Sequence, residues 1–181
     1  VITRWYRAPE VFYQAPVYGG SVDVWSMGMV FAEVILRRPF VFADTDIEMV
    51  HTISQAIGTP TEENWPGVSS LPAYIPVAKE SVVPLRQKDY WMSHFNIAGS
   101  AGVDLLMRML TLDPRKRATA KQMLQHEWFA TAPRPTAKEN LPKKAGGEKK
   151  VGEDLKRRAG EMEEGRADKV ARKIDFGAMK K

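Results

Sequence analysis

The sequence predicts a mainly α-helical domain over residues 1–129, followed by a disordered basic tail over 130–181. Apolar residues recur at helical spacing in the first part, and no run alternates convincingly enough for a β-strand. At Ala130 the composition changes abruptly: all five Trp and all five Tyr precede it, and Phe176 is the only aromatic residue after it. Charge divides at the same point. Residues 1–129 hold 12 Lys/Arg against 13 Asp/Glu, whereas residues 130–181 hold 15 against 9.

Ser21 to Arg37 reads as a helix that is apolar almost all round. Val22, Trp25, Met29, Ala32 and Leu36 form one stripe, while Val24, Val30, Phe31, Val34 and Ile35 fill the other sides. Such a helix belongs at the centre of a core, covered by neighbours. A second helix is predicted over 46–57. Thr45 and Glu48 make a capping-box pattern, Ile47, Val50, Ile53 and Ile57 the apolar face, and Gly58 the stop. Thr59-Pro60-Thr61-Glu62, with Pro at the first helical position, predicts a short helix over 60–64. Residues 65–98 read as irregular, broken by Pro66, Pro72, Pro76 and Pro84.

Helical spacing returns with Val103, Leu106, Met107 and Leu110, a helix over 101–111 that Asp113-Pro114 closes. A last helix over 120–127 starts on a Thr119/Gln122 capping box and is expected to bury Met123, Leu124 and Trp128. Met27, Met29, Met107, Met109 and Met123 read as core, and Trp25 and Gly28 as packing residues. The Trp5-Tyr6 pair is expected to pack beneath a loop of the domain. His51, His94 and His126 show no metal-ligand spacing. The tail has only eight Leu/Ile/Val/Phe/Met in 52 residues, too few to offset the entropy of ordering it. Pairs such as Glu153/Arg157 and Asp168/Arg172 allow it at most a transient helix around 153–173.

These counts exclude several classes of function. The excess positive charge belongs to the tail, so the domain is not a basic nucleic-acid platform. With no cysteine there is no disulfide scaffold, thiolate catalysis or Cys-ligated zinc. No apolar run approaches the roughly 18–20 residues that span a bilayer, and no membrane partner is expected. Val1-Ile2-Thr3-Arg4 is not followed by the apolar region of a signal peptide. Lacking an initiating Met, the chain is expected to be part of a longer, soluble and intracellular protein.

Three short patterns follow one another. Thr3-Arg4-Trp5-Tyr6-Arg7-Ala8-Pro9-Glu10 comes first, and Asp23-Val24-Trp25-Ser26-Met27-Gly28 begins thirteen residues after that glutamate. Leu112-Asp113-Pro114-Arg115-Lys116-Arg117-Ala118-Thr119-Ala120 then precedes His126-Glu127-Trp128-Phe129. In this order and spacing they resemble the C-terminal lobe of a eukaryotic protein kinase, whose activation segment closes on Ala-Pro-Glu. The Thr-Arg-Trp-Tyr-Arg-Ala-Pro-Glu form resembles the proline-directed branch, and Gly58-Thr59-Pro60-Thr61-Glu62-Glu63-Asn64-Trp65-Pro66 the cyclin-dependent kinases within it. Ser70-Leu71-Pro72-Ala73-Tyr74 and the basic tail are similar to the branch that activates other cyclin-dependent kinases and belongs to transcription factor IIH.

The resemblance implies roles for particular residues. Thr3 matches a threonine that positions the catalytic aspartate and its partner lysine beside the substrate hydroxyl; an ordinary loop threonine is the alternative. Ile2 and Arg7 match the pair that sets substrate choice, with a solvated surface charge at Arg7 as the alternative; in the match, the backbone carbonyl at Ile2 turns toward Arg7. The residue after the phosphoacceptor then finds no acceptor for its N–H, and proline alone has none to lose. Glu10 and Arg117 match a buried structural ion pair. Asp23 matches an aspartate that accepts backbone N–H groups of the catalytic loop, with a simple N-cap as the alternative.

The 181 residues contain no Gly-rich loop, Val-Ala-Ile-Lys strand or His-Arg-Asp loop, and Asp175-Phe176-Gly177 spells a magnesium motif only by chance, inside the tail. No metal ligand is therefore assigned. The intact enzyme is implied to use ATP and Mg2+, a cyclin and a RING-finger assembly factor, and to act on Ser/Thr-Pro sites such as kinase activation loops or the RNA polymerase II tail. The chain alone is expected to be inactive. A non-catalytic docking module and a mitogen-activated kinase are the alternatives. Lys143-Lys144 and Lys156-Arg157-Arg158 have the spacing of a bipartite nuclear import signal, with ordinary basic clusters of a solvated tail as the alternative.

Overall fold

Burial of one side of a single long helix organises the protein. The computed structural model describes residues 4–132, 134 and 136–141. Ile2, Thr3, the 153–173 segment and both basic clusters of the tail lie outside them. The chain divides into two units, Val1–Arg134 and Pro135–Lys181. In the second, the described residues include a 3-10 turn over Lys138–Asn140. The first carries α1 (Pro9–Phe12), α2 (Ser21–Leu36), α3 (Asp46–Ile57), α4 (Lys88–Phe95), α5 (Gly99–Met109) and α6 (Ala120–Leu124). Among the described residues there is no strand, and they form the mainly α structure expected.

Val24, Trp25, Met29 and Ala32 of α2 are buried, and Arg37 ends the helix in a left-handed conformation, φ 58°. Gly28 brings α5 close: a Cβ there would lie 2.8 Å from Leu110 Cδ2 and 2.9 Å from Met109 Cβ. The opposite side is bare. Met27, Val30 and Val34 are 55%, 43% and 61% exposed. The helix read as covered all round is thus covered on one side by the described residues, and Met27 is not core.

The Thr45/Glu48 capping box forms, and Thr45 Oγ1 accepts from the Glu48 N–H at 3.2 Å. The apolar face of α3 differs from the predicted one. Met49, Ile53 and Ile57 are buried, whereas Ile47 is 72% exposed. The cap fixes where α3 starts, and Met49 and Ile53, four residues apart, then point together into the core. After Gly58 (φ 135°) the chain runs beside 83–86, with Thr59 N–H on Val83 O at 2.8 Å and Arg86 N–H on Ile57 O at 2.9 Å.

Residues 60–64 form one closed turn, not the predicted helix. Thr61 and Asn64 exchange bonds and Trp65 N–H reaches Thr61 O at 2.8 Å, but Trp65 is buried and Pro66 stops any extension. Inside the stretch read as irregular lies α4. Only Trp91 and Phe95 of α4 are buried, packing on Phe40 at ring-centroid distances of 5.8 and 5.2 Å. That pair is too sparse for a periodicity argument.

α5 buries Val103 and Leu106 of its predicted face, with Leu110 buried just past its end, whereas Met107 is only half-buried and Leu105 and Met109 complete the buried side. α6 is shorter than predicted and leads into a 3-10 turn over Glu127–Ala130. Leu124, expected to be buried, is 76% exposed. Trp128 reaches the core from the 3-10 turn, edge-on to Phe31 at 5.0 Å, so α6 is not needed to deliver it.

Candidate functional site

The segment from Arg4 to Phe12, a 3-10 turn over Arg4–Tyr6 and then α1, is fastened to the helices at an inner and an outer end. At the inner end Glu10 is buried, and the Arg117 side chain is wholly inaccessible. Arg117 Nη1 and Nη2 donate to Glu10 Oε1 and Oε2 at 2.7 and 2.9 Å, a bidentate pair across 107 residues. The remaining donors go to backbone carbonyls: Nη1 to Ser21 at 2.8 Å, Nη2 to Leu112 at 3.3 Å and Nε to Thr111 at 3.0 Å. All five guanidinium N–H groups are therefore used. Beneath them lies the Trp25 ring, 5.1 Å from the guanidinium carbon. A buried charge this well partnered holds one geometry and no other.

At the outer end, Arg4 Nε donates to Asp46 Oδ1 at 2.6 Å. Arg7 Nη1 lies 3.4 and 3.3 Å from Asp46 Oδ1 and Oδ2, with its guanidinium over the Phe12 ring. Asp46 opens α3 directly after its N-cap, where the helix dipole favours a carboxylate. Between the two ends, Trp5 Nε1 donates to Ala43 O at 3.2 Å, Tyr6 Oη to Glu33 Oε2 at 2.6 Å, and Ser26 Oγ to Tyr6 O at 2.8 Å. The Glu33 carboxylate, by accepting that bond, pushes the Tyr6 phenol above its ordinary value.

The structure brings together Glu10 with Arg117, and Arg7 with Asp46, which local pattern marks only as the first residue of a helix. Its signal was an acidic residue just after a cap, which every helix favours. Asp23 lies in the first turn of α2, exposed and without a hydrogen bond among the described residues. Gly20 occupies the N-cap without a side-chain bond, so the N-cap alternative for Asp23 is corrected.

Two further carboxylates are paired with basic side chains elsewhere in the helices and loops. Asp113 is buried and accepts from Arg115 Nε and Nη2, each at 3.0 Å, while Arg115 Nη2 also reaches Pro66 O at 2.7 Å. Burial pushes the Asp113 carboxyl up, but the Arg115 bonds and charge outweigh it and leave it below the usual range. His126 Nε2 meets Asp104 Oδ2 at 2.9 Å, and Trp128 N–H donates to His126 Nδ1, so this histidine is a partnered structural residue. Among the described residues no cluster of His, Asp or Glu is placed to hold a metal ion, and no helix is long and apolar enough to cross a membrane.

An all-helical lobe, built around a one-sided apolar helix and closed by an Ala-Pro-Glu turn paired to a distant arginine, is a kinase arrangement. The family model for the protein kinase domain matches residues 1–129, and this chain belongs to the protein kinase family. Within that family it is similar to cyclin-dependent kinases of the kind that includes cyclin-dependent kinase 7 and KIN28. Cyclin-dependent kinase D-1 of Oryza sativa subsp. japonica is 43% identical over 143 residues, 79% of this chain and 32% of the rice protein. Cyclin-dependent kinase 7 of Xenopus laevis is 41% identical over 143 residues, 79% of this chain and 39% of the frog protein. A chain in the structure of the CAK complex of Chaetomium thermophilum bound to ATP-gamma-S is 56% identical, with a TM-score of 0.74 over 80% of this chain and 44% of that one. The chain thus spans about a third to under half the length of these relatives.

Proposed function

We propose that this chain is the protein-substrate platform of a cyclin-dependent, proline-directed serine/threonine kinase that moves the ATP γ-phosphate to Ser/Thr-Pro sites. Kinase activation loops and the RNA polymerase II tail are substrates of the fitting kind. The observation that carries the reading is the two-ended fastening of Arg4–Glu10, which holds Arg7 beside the start of α3. A guanidinium held there can engage the Ile2 carbonyl, leaving a substrate amide after the phosphoacceptor without an acceptor. A buried unpaired N–H costs about 1–3 kcal/mol, which proline escapes, so selection works by penalising every other residue. Thr3, four positions before Arg7, would position the reacting groups without itself reacting.

The described residues offer no metal cluster, and the 181 residues lack the motifs that hold ATP and Mg2+. In this reading those cofactors are bound by another part of the intact kinase, and the chain alone transfers no phosphate. A cyclin and a RING-finger assembly factor are its partners, and it works in the nucleus, with Lys143, Lys144, Lys156, Arg157 and Arg158 as import signal. The kinase domain occupies 1–129, and 130–181 serves as a tail. Exposed Met27, Val30 and Val34 weigh against a stand-alone docking module, since a bare apolar strip on the central helix calls for cover.

The test is peptide preference in the complete cyclin-bound kinase. Arg7→Ala is expected to raise turnover of Ser-Ala relative to Ser-Pro peptides, and residues 1–181 alone to give no phosphopeptide. An unchanged preference, or phosphate transfer by the chain alone, would overturn the reading.

A further inference from the structure

Asp46 is the acceptor that both half-buried arginines of the opening segment share. Arg4 takes Oδ1 at 2.6 Å, and Arg7 Nη1 spans both oxygens at 3.4 and 3.3 Å. Arg7 therefore differs from Arg117 in what it leaves unused. Its Nη1 is committed to Asp46 and one of its faces to Phe12, while Nε and Nη2 have no acceptor among the described residues. The backbone around it is anchored independently of Asp46. Trp5 holds Ala43, Tyr6 holds Glu33, Ser26 holds the Tyr6 carbonyl, and Glu10 holds Arg117. Removing the Asp46 carboxylate should thus free the Arg7 side chain, with its many rotamers, without releasing the segment that carries it.

We propose that Asp46 is a positioning residue for substrate selection: it pins one nitrogen of Arg7 so that the other edge of the guanidinium stays presented to a backbone carbonyl of the substrate loop. The inference rests on the reading of Arg7 given under Proposed function. Asp46 touches no substrate. It acts through Arg7, and Arg4 shares its Oδ1.

The experiment uses the complete cyclin-bound kinase and compares kcat/KM for matched Ser-Pro and Ser-Ala peptides. Asp46→Ala is expected to lower the proline preference about twofold to fivefold, the bias an exposed ion pair of this kind gives. Asp46→Glu should retain the preference. In an Arg7→Ala background, Asp46→Ala should cause no further drop. If Arg7→Ala lowers the preference and Asp46→Ala does not, the Asp46 inference alone is overturned. An equal drop from Asp46→Ala with Arg7 already removed also overturns it, since the effect would not pass through Arg7. If Arg7→Ala itself changes nothing, the reading of Arg7 fails and the inference falls with it.

Discussion

Two arginines fasten the same short segment, and they are built in opposite ways. Arg117 has a fully inaccessible side chain, a bidentate carboxylate and three carbonyls, with an indole ring beneath it. Arg7 is 27% exposed and shares with Arg4 a carboxylate that is itself 55% exposed. Asp113 and Arg115 lie between these extremes, the acid 1% and the arginine 64% exposed. Burial decides what each pair is for. A desolvated pair tolerates one arrangement and holds a shape, whereas a solvated one can exchange partners at little cost, which suits a group that must meet a substrate.

The inner pair should break hardest. Arg117→Ala strands Glu10 without water and is expected to cost about 3–5 kcal/mol, enough to abolish or sharply lower cooperative thermal unfolding. Glu10→Leu with Arg117→Met should recover part of that loss, because no buried charge is left alone. Recovery will be incomplete, since the carbonyls of Ser21, Leu112 and Thr111 lose their donor. Full recovery in calorimetry would show that the carbonyl bonds count for little.

The intermediate pair should appear as pH dependence. Asp113 is held below its ordinary carboxyl value in the folded state, so unfolding takes up a proton at acid pH. The stability it contributes is fully present above the ordinary Asp value of about 3.9 and is lost as pH falls below that, through the folded-state pKa. Asp113→Asn should therefore flatten the acid limb of a stability–pH curve and lower the plateau at neutral pH. An acid limb unchanged by the substitution would assign it to other groups, Asp104 first, whose carboxyl burial raises but His126 and Arg108 together hold low.

The outer pair should matter least. Asp46→Ala is expected to change stability by less than about 1 kcal/mol, and the difference should vanish in molar salt, where charges this exposed are screened. A larger, salt-insensitive loss would mean that the outer pair also holds shape.

Much of this is legible in the sequence. The capping boxes at Thr45/Glu48 and Thr119/Gln122 form as read, because a cap depends on side chains three residues apart and on little else. Family resemblance brought Glu10 and Arg117 together, whereas local pattern could not, since nothing within one turn of either announces the other. The helix α4 was missed because two aromatic residues among polar neighbours make no periodic stripe. Ile47 and Leu124 were assigned to buried faces by hydrophobicity alone, yet both point outward at helix ends where no neighbour arrives.

By itself, then, the order of residues determined the helical class, the capped helix starts at Thr45 and Thr119 and the kinase motifs, all of which follow from short-range spacing and side-chain chemistry. Only tertiary structure decided that α2 is covered on one side and bare along Met27, Val30 and Val34. It alone decided that Asp46 serves two arginines from a segment about forty residues away. The physical reason is that burial and ion pairing depend on which surfaces meet, and that is settled by packing between elements that no single stretch of chain encodes.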